Sequence, residues 1–138
     1  MRIAVDFDGT IVEHRYPEIG KEIPFAVATL KQLIREGHLL ILWSVREGEL
    51  LDEAVEWCRA KGIEFYAVNS DYPDEDETLS KKISRKLNVD LFIDDRNVGG
   101  LPDWGVIYEM INSNKTYEQV LREMINAPKP EKKPWWKF

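Results

Sequence analysis

Two aspartates, Asp6 and Asp8, stand two residues apart at the end of the apolar run Ile3-Ala4-Val5. On an extended segment residues two apart share a side, so the two carboxylates project together and repel. Gly9 follows, freeing the backbone to turn and to show a carbonyl, with Thr10 next. Two more apolar runs end in polar groups. "LLILWSV" carries Ser44, with Arg46 just beyond, and "LFIDDR" ends in Asp94, Asp95 and Arg96. Four carboxylates gathered in a partly dry place would repel at roughly 4 kcal/mol per close pair. A hard divalent cation relieves that repulsion, and a donor set made of oxygens favours Mg²⁺ over Zn²⁺. With a cation present, one carboxylate could attack phosphorus while the other handles a proton.

These residues meet only if the runs before them lie side by side. Ile3–Val5, Leu39–Trp43, Phe65–Val68 and Leu91–Ile93 read as short strands buried on both faces, with Val106–Tyr108 as a fifth. Between them, Ala26, Leu30, Leu33 and Ile34 fall on one helical face, after Pro24 and before Gly37 as a stop. Leu51, Ala54, Val55 and Cys58 repeat the spacing, followed by Gly62. A shorter helix is expected over Leu79–Leu87, and a last one opens with the capping pair Thr116 and Gln119. This alternation predicts an α/β fold with a central parallel sheet, whose ligands sit at the carboxyl ends of the strands. Both histidines are expected off that rim. His38 stands beside a helix stop at the surface, and His14 is in the loop after Asp8, where facing substrate is the less favoured alternative.

At 138 residues the chain is read as one domain over residues 1–126, followed by a tail over 127–138. That tail holds three prolines, four lysines and the aromatic cluster Trp135, Trp136 and Phe138, and reads as an appendage. Hydrophobic residues at 43% and charged residues at 32% exclude a disordered chain. A single cysteine, Cys58, excludes a disulfide framework and a cysteine-rich metal site. No apolar run is long enough for a membrane span and no signal segment precedes the first strand, so the expected location is cytoplasmic. A net charge of −6 disfavours sequence-independent nucleic-acid binding. The acidic stretch Asp71–Glu77 reads as a solvated charge run.

"DFDGT" after a first strand resembles the first motif of the haloacid-dehalogenase (HAD) superfamily of phosphatases and phosphotransferases. "LLILWSV" is similar to its second motif and "LFIDDR" to its fourth, in the family's order, over about residues 2–108. The resemblance implies a three-layer Rossmann-like fold, and the spacing leaves no room for a substantial cap domain. It implies a Mg²⁺-dependent phosphatase in which Asp6 is the nucleophile that forms an aspartyl-phosphate. Asp8 would then protonate the leaving group and Ser44 would bind a phosphoryl oxygen. Asp95 would be the direct Mg²⁺ ligand in the fourth motif, with Asp94 behind it or sharing the role, together with Asp6 and Asp8. Gly9 and Thr10 would contact phosphate or substrate, and Arg46 and Arg96 would bind substrate or support the site. The third-motif lysine is sought among Lys81, Lys82 and Lys86, with Lys86, eight residues before Asp94, preferred. The implied substrate is a phosphorylated small molecule or nucleotide, with a phosphorylated macromolecule as the alternative, no membrane, and a homo-oligomer compatible with an open site.

Three other readings compete. A receiver-type signalling domain also uses an acidic pair, a hydroxyl and a lysine, but there the acceptor lies on a later strand. A non-catalytic binding protein could keep the same fold. A phosphotransferase would pass the phosphoryl group to an acceptor other than water.

Overall fold

The computed structural model describes residues 1–73 and 86–128. Four strands form one sheet among these residues: β1 (Arg2–Val5), β2 (Leu39–Leu42), β3 (Ala67–Val68) and β4 (Leu91–Ile93). Their order is β3-β2-β1-β4 and every pairing is parallel. Parallel neighbours need a crossover, and the chain supplies helix α1 (Ala26–Arg35) between β1 and β2 and α2 (Gly48–Ala60) between β2 and β3. Helices α3 (Trp104–Ser113) and α4 (Tyr117–Asn126) follow β4. The chain is thus an α/β protein with a parallel sheet, compatible with a Rossmann-like arrangement.

The strands are apolar without alternation because both faces are covered. Ile3 and Val5 of β1 and Leu40 and Leu42 of β2 point to one side and are fully buried. Ala4, Ile41 and Ala67 point to the other, in a cluster with Leu87 that Trp43, Tyr66, Val89 and Phe92 border. Arg2 ties the chain leaving β3 to the chain entering β4. Its guanidinium donates to the Asn88 and Asp71 carbonyls and lies over the Tyr66 and Tyr72 rings.

Both crossover helices stop in the same way. After α1, Gly37 takes φ +90°, its N–H donates to Ile34 O, and the His38 N–H donates to Leu33 O. After α2, Gly62 takes φ +88°, with Gly62 N–H to Arg59 O and Ile63 N–H to Cys58 O. These paired bonds satisfy carbonyls the helix itself leaves open, and the left-handed residue favours glycine. Pro24 stands two residues before α1, which starts after Phe25 in a left-handed conformation. Cys58 is buried, and burial pushes its thiol up to about 12, so it packs as an apolar group.

One strand expected from the sequence is a helix. Val106–Tyr108 lies inside α3, where buried Trp104, Ile107 and Ile111 repeat at three and four residues. A short apolar run does not by itself distinguish strand from helix, and here the wider 3.6-residue period decides. The capping box at Thr116 is present: its side chain accepts from Gln119 N–H while the Gln119 side chain accepts from Thr116 N–H. The helix expected over Leu79–Leu87, the charge run beyond Pro73 and the tail beyond Pro128 lie outside the described residues, save Lys86 and Leu87. The chain divides into two compact units, Met1–Trp104 with the whole sheet and Gly105–Phe138 with most of α3 and all of α4. No helix among the described residues is long and apolar enough to cross a membrane.

Candidate functional site

The sheet's carboxyl rim is where the acids gather. The parallel ladder runs one residue past β1, with Asp6 N–H donating to Ile93 O at 2.9 Å and Trp43 N–H to Val5 O at 2.8 Å. Asp6 is thereby registered beside the chain entering Asp94. One oxygen from each of Asp6, Asp94 and Asp95 can be chosen so that all lie within 4.8 Å of one another. All three side chains are half-buried.

Two uncharged residues make that convergence possible. Thr10 is fully buried, and its hydroxyl donates to Asp6 Oδ2 at 2.9 Å and accepts from Asp95 N–H at 3.1 Å. Its carbonyl accepts from the indole N–H of Trp104 at 3.0 Å. Gly9, at φ +83°, leaves room for Asp95: a Cβ there would stand 2.2 Å from Asp95 Oδ2. Asp94 Oδ1 accepts from the Arg96 N–H at 2.9 Å, which tightens the turn that follows β4.

Crowding shows in the protonation of Asp6. Burial first, then a hydrogen bond to Asp95 and the charges of Asp94 and Asp95, push its carboxyl up to about 7 against the pull of Thr10. A group of three carboxylates that retains a proton near neutrality is one that a divalent cation would relieve. The donors are all hard carboxylate oxygens, so the residues present fit such an ion.

Asp8 stands apart from this triad. Arg46 holds it through two 2.8 Å bonds, Nε to Oδ2 and Nη2 to Oδ1. The Arg46 side chain is wholly buried, its guanidinium 5.3 Å from the Phe7 ring centroid and 5.2 Å from that of Tyr16. Its remaining N–H groups donate to Pro17 O, Glu18 O and Leu50 O at 3.1, 3.0 and 3.4 Å. All five donors of Arg46 are thus engaged inside the protein.

A cleft of about 790 Å³ opens over this rim, lined by Asp6, Asp8, Ser44, Asp94 and Arg96 and by His14, Tyr16 and Trp43. The Ser44 hydroxyl accepts from Arg46 N–H at 3.1 Å and keeps its own proton to donate. The Ser44 N–H is held by Asn69 Oδ1 at 2.8 Å, with Asn69 itself at φ 53°.

The sequence candidates sort accordingly. Asp6, Asp94 and Asp95 converge, and Asp8, Ser44 and Arg96 share the cleft. Asp8, expected among the Mg²⁺-holding residues, turns both side-chain oxygens to Arg46. Thr10, Gly9 and Arg46, expected to contact phosphate or substrate, are engaged within the protein. The first spends its hydroxyl on two acids, the second makes space for Asp95, and the third has no donor left. Lys86 places its ammonium 5.8 Å from the Phe92 ring centroid and is not among the cleft-lining residues; Lys81 and Lys82 lie outside the described residues. His14, expected off the rim, lines the cleft. Asn69 and Tyr16 were missed. Asn69 directly follows β3, so the strand-end rule that marked the acids points to this amide as well.

The solved structure of a conserved protein from Bacteroides thetaiotaomicron is 72% identical to this chain, over 87% of this chain and 96% of that one, with a TM-score of 0.81. The chain belongs to the family of that protein. No model of a described protein family matches the sequence, and no curated protein matches it.

Proposed function

We propose that the protein is a Mg²⁺-dependent phosphatase of the HAD-like, capless type, acting through an aspartyl-phosphate on Asp6. The observation that carries this reading is the meeting of Asp6, Asp94 and Asp95 oxygens within 4.8 Å, with Asp6 and Asp94 lining the cleft. Support comes from the order of the acids along the chain and from Ser44, whose hydroxyl keeps a proton to give to a phosphoryl oxygen.

In this reading Asp6, Asp94 and Asp95 hold the Mg²⁺, which when bound offsets negative charge on the transferring phosphoryl group. An Asp6 oxygen attacks phosphorus, the bond from phosphorus to the ester oxygen breaks, and Asp8 gives its proton to the departing alcohol. Water then attacks the same phosphorus, Asp8 takes a proton from it, and phosphate leaves as Asp6 regains its carboxylate. Ser44 and Arg96 bind phosphoryl oxygens, and one of Lys81, Lys82 and Lys86 completes the charge balance. The substrate is a phosphorylated small molecule or nucleotide, and the place of action is the cytoplasm.

The test is phosphate release from a panel of phosphate esters, with Mg²⁺ or with chelator, by the wild type and Asp6→Asn. Release that needs both the ion and Asp6 is the expected result. Turnover by Asp6→Asn at the wild-type rate would remove Asp6 from the chemistry, and silence on every ester would remove the phosphatase reading.

A further inference from the structure

We infer that Arg46 is the positioning residue for Asp8: it fixes the plane of the proton-transferring carboxyl and serves no other step. The inference rests on the phosphatase reading and goes beyond it by separating Arg46 from substrate. A guanidinium at the rim of a phosphate site would ordinarily be expected to grip the phosphate, since its fork matches that anion. Here the fork is spent on Asp8 instead, at 2.8 Å on each oxygen. The other three N–H groups bond backbone carbonyls of two segments, Pro17 and Glu18 in the loop after β1 and Leu50 in the first turn of α2. The Phe7 and Tyr16 rings both lie against the guanidinium, at 5.3 and 5.2 Å.

Two parallel bonds to one carboxylate leave it no free torsion, so each oxygen keeps one lone pair in a fixed direction. A carboxyl that must hand a proton to a departing oxygen needs that fixity, because proton transfer demands hydrogen-bond reach in the transition state. Arg46 also ties this carboxyl to the loop that carries His14 and Tyr16 into the cleft wall. The acid and the wall it serves are thus referred to one buried group.

The consequence depends on the ester. An alkyl phosphate expels a poor leaving group that needs the proton from Asp8, whereas p-nitrophenyl phosphate expels one that leaves readily without it. Arg46→Lys keeps a positive charge beside Asp8 but loses the fork. With Mg²⁺ present, its kcat on the alkyl ester is expected to fall about 100-fold, and at least about tenfold further than on p-nitrophenyl phosphate. KM should change little on either ester, since Arg46 does not touch substrate. In an Asp8→Asn background the same change should cost nothing further in kcat, because the group it acts through is gone. Should Arg46→Lys not fold, Asp8→Asn/Arg46→Gln compared with Asp8→Asn alone reads the same coupling. Equal losses on both esters, a KM effect alone, or additive losses in the double variant would each overturn the positioning role. A wild type inactive on every ester would overturn the phosphatase reading, and this inference with it.

Discussion

Thr10 carries no charge, yet its hydroxyl sets where two of the three acids sit. It donates to Asp6 and accepts from the Asp95 backbone, so one small side chain registers the loop after β1 against the loop after β4. Gly9 does the complementary work of absence. Ala at position 9 would put a methyl group 2.2 Å from the Asp95 carboxylate, on a backbone at φ +83°. Gly9→Ala is therefore expected to lose Mg²⁺ binding, read by calorimetric titration, by at least about tenfold while the sheet still folds; unchanged affinity would show that Asp95 is not a ligand. Asp6 adds a pH dependence with a definite sign. Its carboxyl stands at about 7 in the folded, cation-free protein against 3.8 in an unfolded chain, so the folded state holds the proton more tightly. The associated stability is full below about pH 4, is lost as pH rises toward 7, and is flat above. We expect the thermal midpoint of the cation-free protein to fall between pH 5 and pH 8 by more in the wild type than in Asp6→Asn. Added Mg²⁺ should restore the wild type more at pH 8 than at pH 5, where it must displace a proton. Identical pH profiles for the two proteins would contradict this assignment.

The secondary-structure elements were read from the chain where local chemistry alone decides them. The strands ending at Val5, Leu42, Val68 and Ile93 follow from continuous apolar runs, and both crossover helices end at the glycines that the pattern marks. Gly37 is a clean site for measuring what such a stop is worth, because a Cβ there meets nothing within 4 Å. Gly37→Ala then costs only the left-handed backbone, about 1–2 kcal/mol, visible as a lower denaturation midpoint with unaltered Mg²⁺ affinity. A neutral result would mean the chain end of α1 can take another course. Val106–Tyr108 was misread because a short apolar run is ambiguous until its neighbours are weighed, and Trp104, Ile107 and Ile111 supply the helical period. The partnership of Arg46 with Asp8 was illegible for a different reason. It joins residues 38 apart through side-chain geometry that no spacing rule encodes.

Over the whole molecule, four parallel strands bring residues from the beginning, middle and end of the first unit to one rim. That convergence was legible because a parallel sheet has a rule for where its loops meet. The order of roles on the rim was not, since whether an aspartate faces an ion or an arginine depends on a few ångströms of packing. In the proposed reading, a protein of net charge −6 that takes an anionic ester would need local positive charge, which a Mg²⁺ ion and Arg96 would supply at the cleft. The most direct measurement of the central claim is chemical. Wild-type protein turning over an ester it hydrolyses, with Mg²⁺ present, is quenched in acid and digested, and its peptides are weighed. The account predicts a phosphoryl group on the peptide containing Asp6, absent when chelator replaces Mg²⁺. Turnover that proceeds with the label on another residue, or on none, would contradict it.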